Sequence, residues 1–268
     1  METTVRERMT QTGKVVQSDL RDFVGGVARG GGSDLGQRES DALRNLRRDG
    51  FAVVEGFWDR ERAIAMRDHL ETFLEAGENV DYPEGAYLRF WDDRAYDQGV
   101  RRLYHVERIV PELSSFRNDP FVMGVAQAYY RMPFHSGALV YQYNTRSNTD
   151  TRYYHVDGFS REFKAFLYLD DVEDASKGPF TYLRGTHRSH LTRLRKQIVG
   201  NAEGSPTSFY EADLGRRLKG ETQLLGPAGT LILADVRGFH RGSPQYGDSR
   251  SVLVNYILPE PGDLFFDR

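Results

Sequence analysis

The spacing of apolar residues changes near position 134. Before it, apolar positions recur at the three-to-four-residue interval of amphipathic helices; after it, they come in short runs with every-second-residue alternation. The first texture predicts a helix ending at Arg48 and a strand at Phe51 to Glu55. It also predicts a helix from Asp59, whose side chain is suited to cap it, to about Ala76, and another after Asp119-Pro120 through Val125 to Tyr130. The second predicts strands at 134–145, 151–157, 162–170, 179–183, 221–225, 229–236 and 250–258, rich in aromatic and β-branched residues and divided by Gly, Pro, Asn and Asp. Helices followed by many short strands imply a mainly β fold with flanking helices, a β-sandwich or jelly roll. Residues 1–40 are polar and end in Arg29-Gly-Gly-Gly-Ser-Asp34, which reads as a flexible arm before a single domain over 41–268. There is no internal repeat, and Gly200 to Ser208 reads as a loop.

Composition narrows the chemistry. A chain of 268 residues is long enough for one sizeable core. A formal charge of -3 offers no electrostatic reason to expect nucleic acid or an anionic membrane as partner. The absence of cysteine excludes disulfides, thiolate metal sites and cysteine nucleophiles together, leaving histidines and carboxylates as metal ligands. No apolar run approaches membrane-spanning length, and the charged N-terminus is unlike a signal peptide, so a cytoplasmic protein is expected.

His-x-Asp/Glu is a common way to hold a metal from one strand, and this chain has three: His69-Leu-Glu71, His105-Val-Glu107 and His155-Val-Asp157. About one is expected by chance at this composition, so the motif alone decides little. Geometry separates them, because residues i and i+2 share a face on a strand but diverge by roughly 200° on a helix. His69 lies inside the helix from Asp59, and His105 lies where a helix begins. Only His155 and Asp157 fall on strand-like sequence, Arg152-Tyr-Tyr-His-Val-Asp157, followed by Gly158.

A third ligand has to come from elsewhere, and His135, His187, His190 and His240 are candidates. His240 has the best setting: it follows the apolar strand Thr230–Val236 and precedes a turn-rich stretch, Gly242 to Asp248, that leads into the strand at Ser251. Such a hairpin carries Arg250 back toward His240, where a guanidinium fork suits the far carboxylate of a dicarboxylic co-substrate.

Taken in order, these segments resemble the phytanoyl-CoA dioxygenase-like family of iron(II)/2-oxoglutarate oxygenases. The likeness runs from about Leu43 through Leu46-Arg-Arg-Asp-Gly-Phe-Ala-Val-Val54, His155-Val-Asp157 and Leu167-Tyr-Leu-Asp-Asp171, then Gly178-Pro-Phe-Thr-Tyr-Leu-Arg-Gly-Thr-His-Arg188, Gly229 to Asp235, His240 and Arg250. The resemblance implies a double-stranded β-helix, the cupin-like jelly roll. It also implies Fe(II) on His155, Asp157 and His240, with 2-oxoglutarate and O2 as co-substrates and Arg250 binding 2-oxoglutarate. Gln142, with Asn144 on the same strand face, sits where some relatives bond the co-substrate. His187 falls in a turn that supplies no ligand in the family. Halogenases of this group carry Gly or Ala in place of Asp157, so its presence points to hydroxylation or another oxidation. The family name does not carry the substrate with it, and a small organic molecule is expected.

Tyr87 and Trp91 are candidates for the pocket rim, and Arg152 and Arg237, flanking the ligands, for gripping an anionic substrate group. The competing readings are a non-redox cupin-like isomerase or hydrolase, which has no need of Arg250, and a binding protein without turnover, which has no need of the triad.

Overall fold

The computed structural model describes residues 36–90, 99–145, 153–158, 161–188, 208–209 and 211–262. The proposed arm lies outside them as far as residue 35. Helix α1 (Gln37–Asp49) turns Ala42, Leu43 and Leu46 inward and stops at Gly50, which has φ 92° and donates its N–H to Leu46 O at 2.9 Å. Glycine is required there, since a Cβ would lie 2.5 Å from Tyr182 Oη and 2.6 Å from His187 Nδ1. Strand β1 (Phe51–Val54) and helix α2 (Arg60–Ala76) follow, as expected. Asp59 has the extended backbone of an N-cap but makes no capping bond with its side chain, contrary to expectation.

Strands β2 (Tyr87–Phe90) and β3 (Val100–Tyr104) were not foreseen as a pair. Helices α3 (Val106–Ile109), α4 (Ser114–Arg117) and α5 (Pro120–Tyr130) come next. At the start of α5, Asp119 accepts a hydrogen bond from Val122 N at 3.1 Å. The remaining elements are β4 (His135–Asn144), β5 (Tyr154–His155), β6 (Phe163–Tyr168), β7 (Phe180–Leu183), β8 (Ser208–Phe209), α6 (Glu211–Leu214), β9 (Glu221–Leu224), β10 (Leu231–Asp235), β11 (His240–Gly242) and β12 (Arg250–Leu258). Ser208, expected in a loop, pairs with His155.

Two antiparallel sheets result, one in the order β1-β10-β6-β12-β4-β3-β2 and the other β8-β5-β11-β7-β9. From β4 to β7 the chain alternates between the sheets strand by strand, and from β9 to β12 it does so again, which is the winding of a jelly roll. The larger sheet is buried on both faces. Its outer side, with Leu139, Tyr141, Leu167, Leu233 and Leu253, packs on helix residues such as Leu46, Leu70, Val122 and Val125. Its inner side, with Ile232, Tyr168, Val252 and Val254, meets Phe180, Tyr182 and Leu224 of the smaller sheet. Strict alternation along β12 therefore decides which residues face the interior between the sheets, where the candidate ligands lie.

Candidate metal centre

His155 and His240 are register partners on the paired strands β5 and β11, with ring centroids 4.5 Å apart. Asp157 lies two residues past His155, and its N–H donates to Val236 O at 3.2 Å. One ligand atom from each of His155, Asp157 and His240 falls within 4.8 Å of the others, the arrangement of the two-histidine, one-carboxylate sites that hold a divalent ion. The second ring nitrogens are fixed by backbone: His155 Nδ1 is 3.1 Å from Tyr153 O, and His240 Nδ1 is 2.9 Å from Gly238 O. Each contact orients its imidazole with Nε2 toward the shared centre. Gly238 has no room for a side chain, because a Cβ would strike Tyr182 Oη, which donates to Asp235 O at 2.7 Å.

The electrostatics keep these groups ready to ligate. Burial, helped by His240, pushes His155 down to about 4, so it is neutral at pH 7. Burial opposes the charge on Asp157, yet Lys164 and the two imidazoles hold its carboxyl well below the ordinary range. Lys164 Nζ lies 2.8 Å from Asp157 Oδ2. Sequence reasoning missed this lysine, although a lone cation in the apolar run Phe163-Lys-Ala-Phe-Leu-Tyr168 is the kind of anomaly that marks a site.

Arg250 opposes Asn144 across β12 and β4, so both side chains face the interior. The guanidinium is buried; it donates to Gly178 O and is hydrogen-bonded to Tyr168, whose hydroxyl also accepts from Phe180 N at 3.1 Å. Arg250 Nε and Asn144 Nδ2 are buried donors without a hydrogen-bond partner. Gln142 donates to Asn144 Oδ1 at 3.0 Å and accepts from Arg102 Nε at 2.9 Å. Buried donors of this kind are rare because each costs about 1–3 kcal/mol, and two on facing strands make a cradle for an anion.

The other candidates are placed elsewhere. His69 and His135 are exposed, and His105 is buried beside Glu107, 3.6 Å away. His190, Trp91 and Arg152 lie outside the described residues. Tyr87 stands on the inner face of β2, stacked on Tyr104 at 4.6 Å. Arg237 departs from its expected role: it is buried, donating to both oxygens of Asp235 at 3.0 and 2.8 Å and lying over Tyr130, which anchors the turn that delivers His240. Next to it His187 is buried in a turn, as a structural residue.

His187 sets a pH dependence. Burial, reinforced by Arg188 and Arg237 and only partly offset by Asp235, pushes it from 6.5 down to about 4. Between those values the unfolded chain takes up a proton that the folded chain refuses, so stability is full above pH 6.5 and falls as the pH drops toward 4. The loss is on the order of 3 kcal/mol. Urea unfolding at pH 7 and pH 4.5 is expected to show a smaller pH difference for His187→Asn than for the parent; equal differences would contradict this.

The fold and site thus define a jelly-roll protein with a half-buried His-Asp-His centre on the smaller sheet and a buried cationic cradle on the inner face of the larger one. Neither protein-family models nor curated protein sequences match the chain. Among solved structures it is similar to iron-bound EctD from S. alaskensis, with TM-score 0.64, 14% identity, and coverage of 89% of this chain and 83% of that one. It is also similar to the epimerase SnoN from nogalamycin biosynthesis, in complex with Fe3+, alpha ketoglutarate and nogalamycin RO, with TM-score 0.60, 14% identity and coverage of 82% and 83%. A third is HygX from Streptomyces hygroscopicus, with nickel and 2-oxoglutarate bound, with TM-score 0.58, 16% identity and coverage of 84% and 87%. At such identities the likeness establishes the shared fold.

Proposed function

We propose that this chain is an Fe(II)/2-oxoglutarate-dependent dioxygenase that hydroxylates a small organic molecule, releasing succinate and CO2. The observation that carries the reading is the pairing of the His155, Asp157 and His240 centre with the buried Arg250–Asn144 cradle. A divalent ion fits the donor set of two imidazoles and one carboxylate, and a dicarboxylate fits the two unpartnered buried donors. Structural neighbours crystallised with iron or nickel and with 2-oxoglutarate support both parts. The non-redox alternative leaves the cradle without an occupant.

Bound iron(II), with 2-oxoglutarate and O2, supplies an oxidant able to attack an unactivated C–H bond. The chain's share is positioning. His155, Asp157 and His240 hold the ion, Arg250 and Asn144 hold the far carboxylate, and Gln142 braces Asn144. The apolar walls Phe166, Phe180 and Val254 keep water out of the space between the sheets. Tyr87 and Tyr104 form part of the substrate wall on the extended edge of the larger sheet.

Anaerobic addition of iron(II) and 2-oxoglutarate is expected to produce the weak visible charge-transfer band of a chelated co-substrate. Metal binding with no band would return the site to the non-redox class. The substrate is to be found by screening small molecules for faster succinate release.

A further inference from the structure

Within this metal-centre reading, we infer that Lys164 is a positioning residue: it pairs with Oδ2 of Asp157 and so holds the carboxylate beside the two imidazoles, where it would ligate the ion. The two histidines need no such help, since each is carried by a paired strand and braced by a backbone carbonyl. Asp157 sits past the end of β5, in a bend. Apart from the imidazoles, the only side chain among the described residues in polar contact with it is Lys164, 2.8 Å from Oδ2.

Lys164 is built as an anchor. It projects from the regular strand β6, with Ala234 and Tyr256 as its cross-strand neighbours, and is 8% exposed at its side chain. Its ammonium lies 4.0 Å from the centre of the Tyr256 ring and 3.5 Å from Glu162 Oε1. An apolar residue would fill this inner-face position at lower desolvation cost, so a buried lysine here answers to the carboxylate it holds. Asp157 and Glu162 share the one ammonium, and without it two acids are left facing one buried space and turn apart.

The alternative role, a simple counter-charge, predicts the opposite sign. Removing a cation beside a divalent ion tightens metal binding, whereas losing the group that orients a ligand weakens it, typically by about 10–100-fold. The test is anaerobic titration of the full chain with Co(II) alone, followed by d–d absorption and calorimetry, for the parent, Lys164→Met and Lys164→Arg. Lys164→Met is expected to lose about 10–100-fold in affinity and to change the Co(II) spectrum, with Lys164→Arg recovering part of the loss. Circular dichroism and thermal melting check the fold, and if Lys164→Met does not fold, Lys164→Gln is judged by the same criterion. Equal or tighter binding in the neutral variant overturns the positioning role. A parent protein that binds no Co(II) or Fe(II) overturns the metal-centre reading itself, whatever Lys164 does.

Discussion

Replacing Asp157 by alanine is expected to abolish both the charge-transfer band and succinate release, leaving two imidazoles with no anionic ligand between them. Metal affinity should fall by more than the ~10–100-fold that loss of an outer partner costs, because the group removed is itself a ligand. The same change leaves the buried Lys164 ammonium with Glu162 as its remaining acid, and breaking a buried pair costs up to about 3–5 kcal/mol. Asp157→Asn is therefore the companion variant: it keeps an oxygen facing the Lys164 ammonium while the charge is gone. Both variants losing the band, with Asp157→Asn still folded by circular dichroism, is the expected result. Undiminished succinate release from a folded Asp157→Asn protein would show that the carboxylate is not a ligand.

The second large effect is expected at Arg250. Arg250→Lys keeps a positive charge but removes the fork, and with it Nε, the buried donor that lacks a partner. Losing a charge-assisted hydrogen bond of about 1.5–3 kcal/mol weakens 2-oxoglutarate binding by about 10–100-fold. Metal affinity is expected to stay within a few-fold, because the triad lies on β5, its following bend and β11 whereas Arg250 opens β12. Titration of the charge-transfer band with 2-oxoglutarate separates the two constants. A variant with unchanged 2-oxoglutarate affinity would mean that another cation holds the far carboxylate.

The two site groups differ in how they could be read. His155-Val-Asp157 was legible as a local motif, but the strand expected to run to 157 ends at His155, and Asp157 is brought alongside by the bend that follows, where its N–H donates to Val236 O. Arg250 was reached through an expected hairpin that the structure replaces: β11 and β12 lie in different sheets and neither β10 nor β11 pairs with β12, so the stretch from Gly242 to Asp248 carries the chain across the sandwich. Lys164 was passed over because its meaning lies across the sandwich: nothing within β6 says that position 164 faces Asp157. Arg237 misled for the complementary reason, since an arginine three residues before a ligand looks available until its Nε and Nη2 are seen donating to Asp235.

By itself the sequence determined the helix-then-strand texture, the absence of thiol chemistry, and which of the three His-x-acid motifs lies at a strand, on β5 and the bend after it. These follow from local rules, since periodicity, turn residues and composition act within a few residues of each other. Only the tertiary structure decided that β2 and β3 extend the larger sheet, that Asn144 opposes Arg250, and that Lys164 reaches Asp157. Those facts depend on register between strands distant in the chain, where shifting the pairing by one residue turns every side chain to the opposite face.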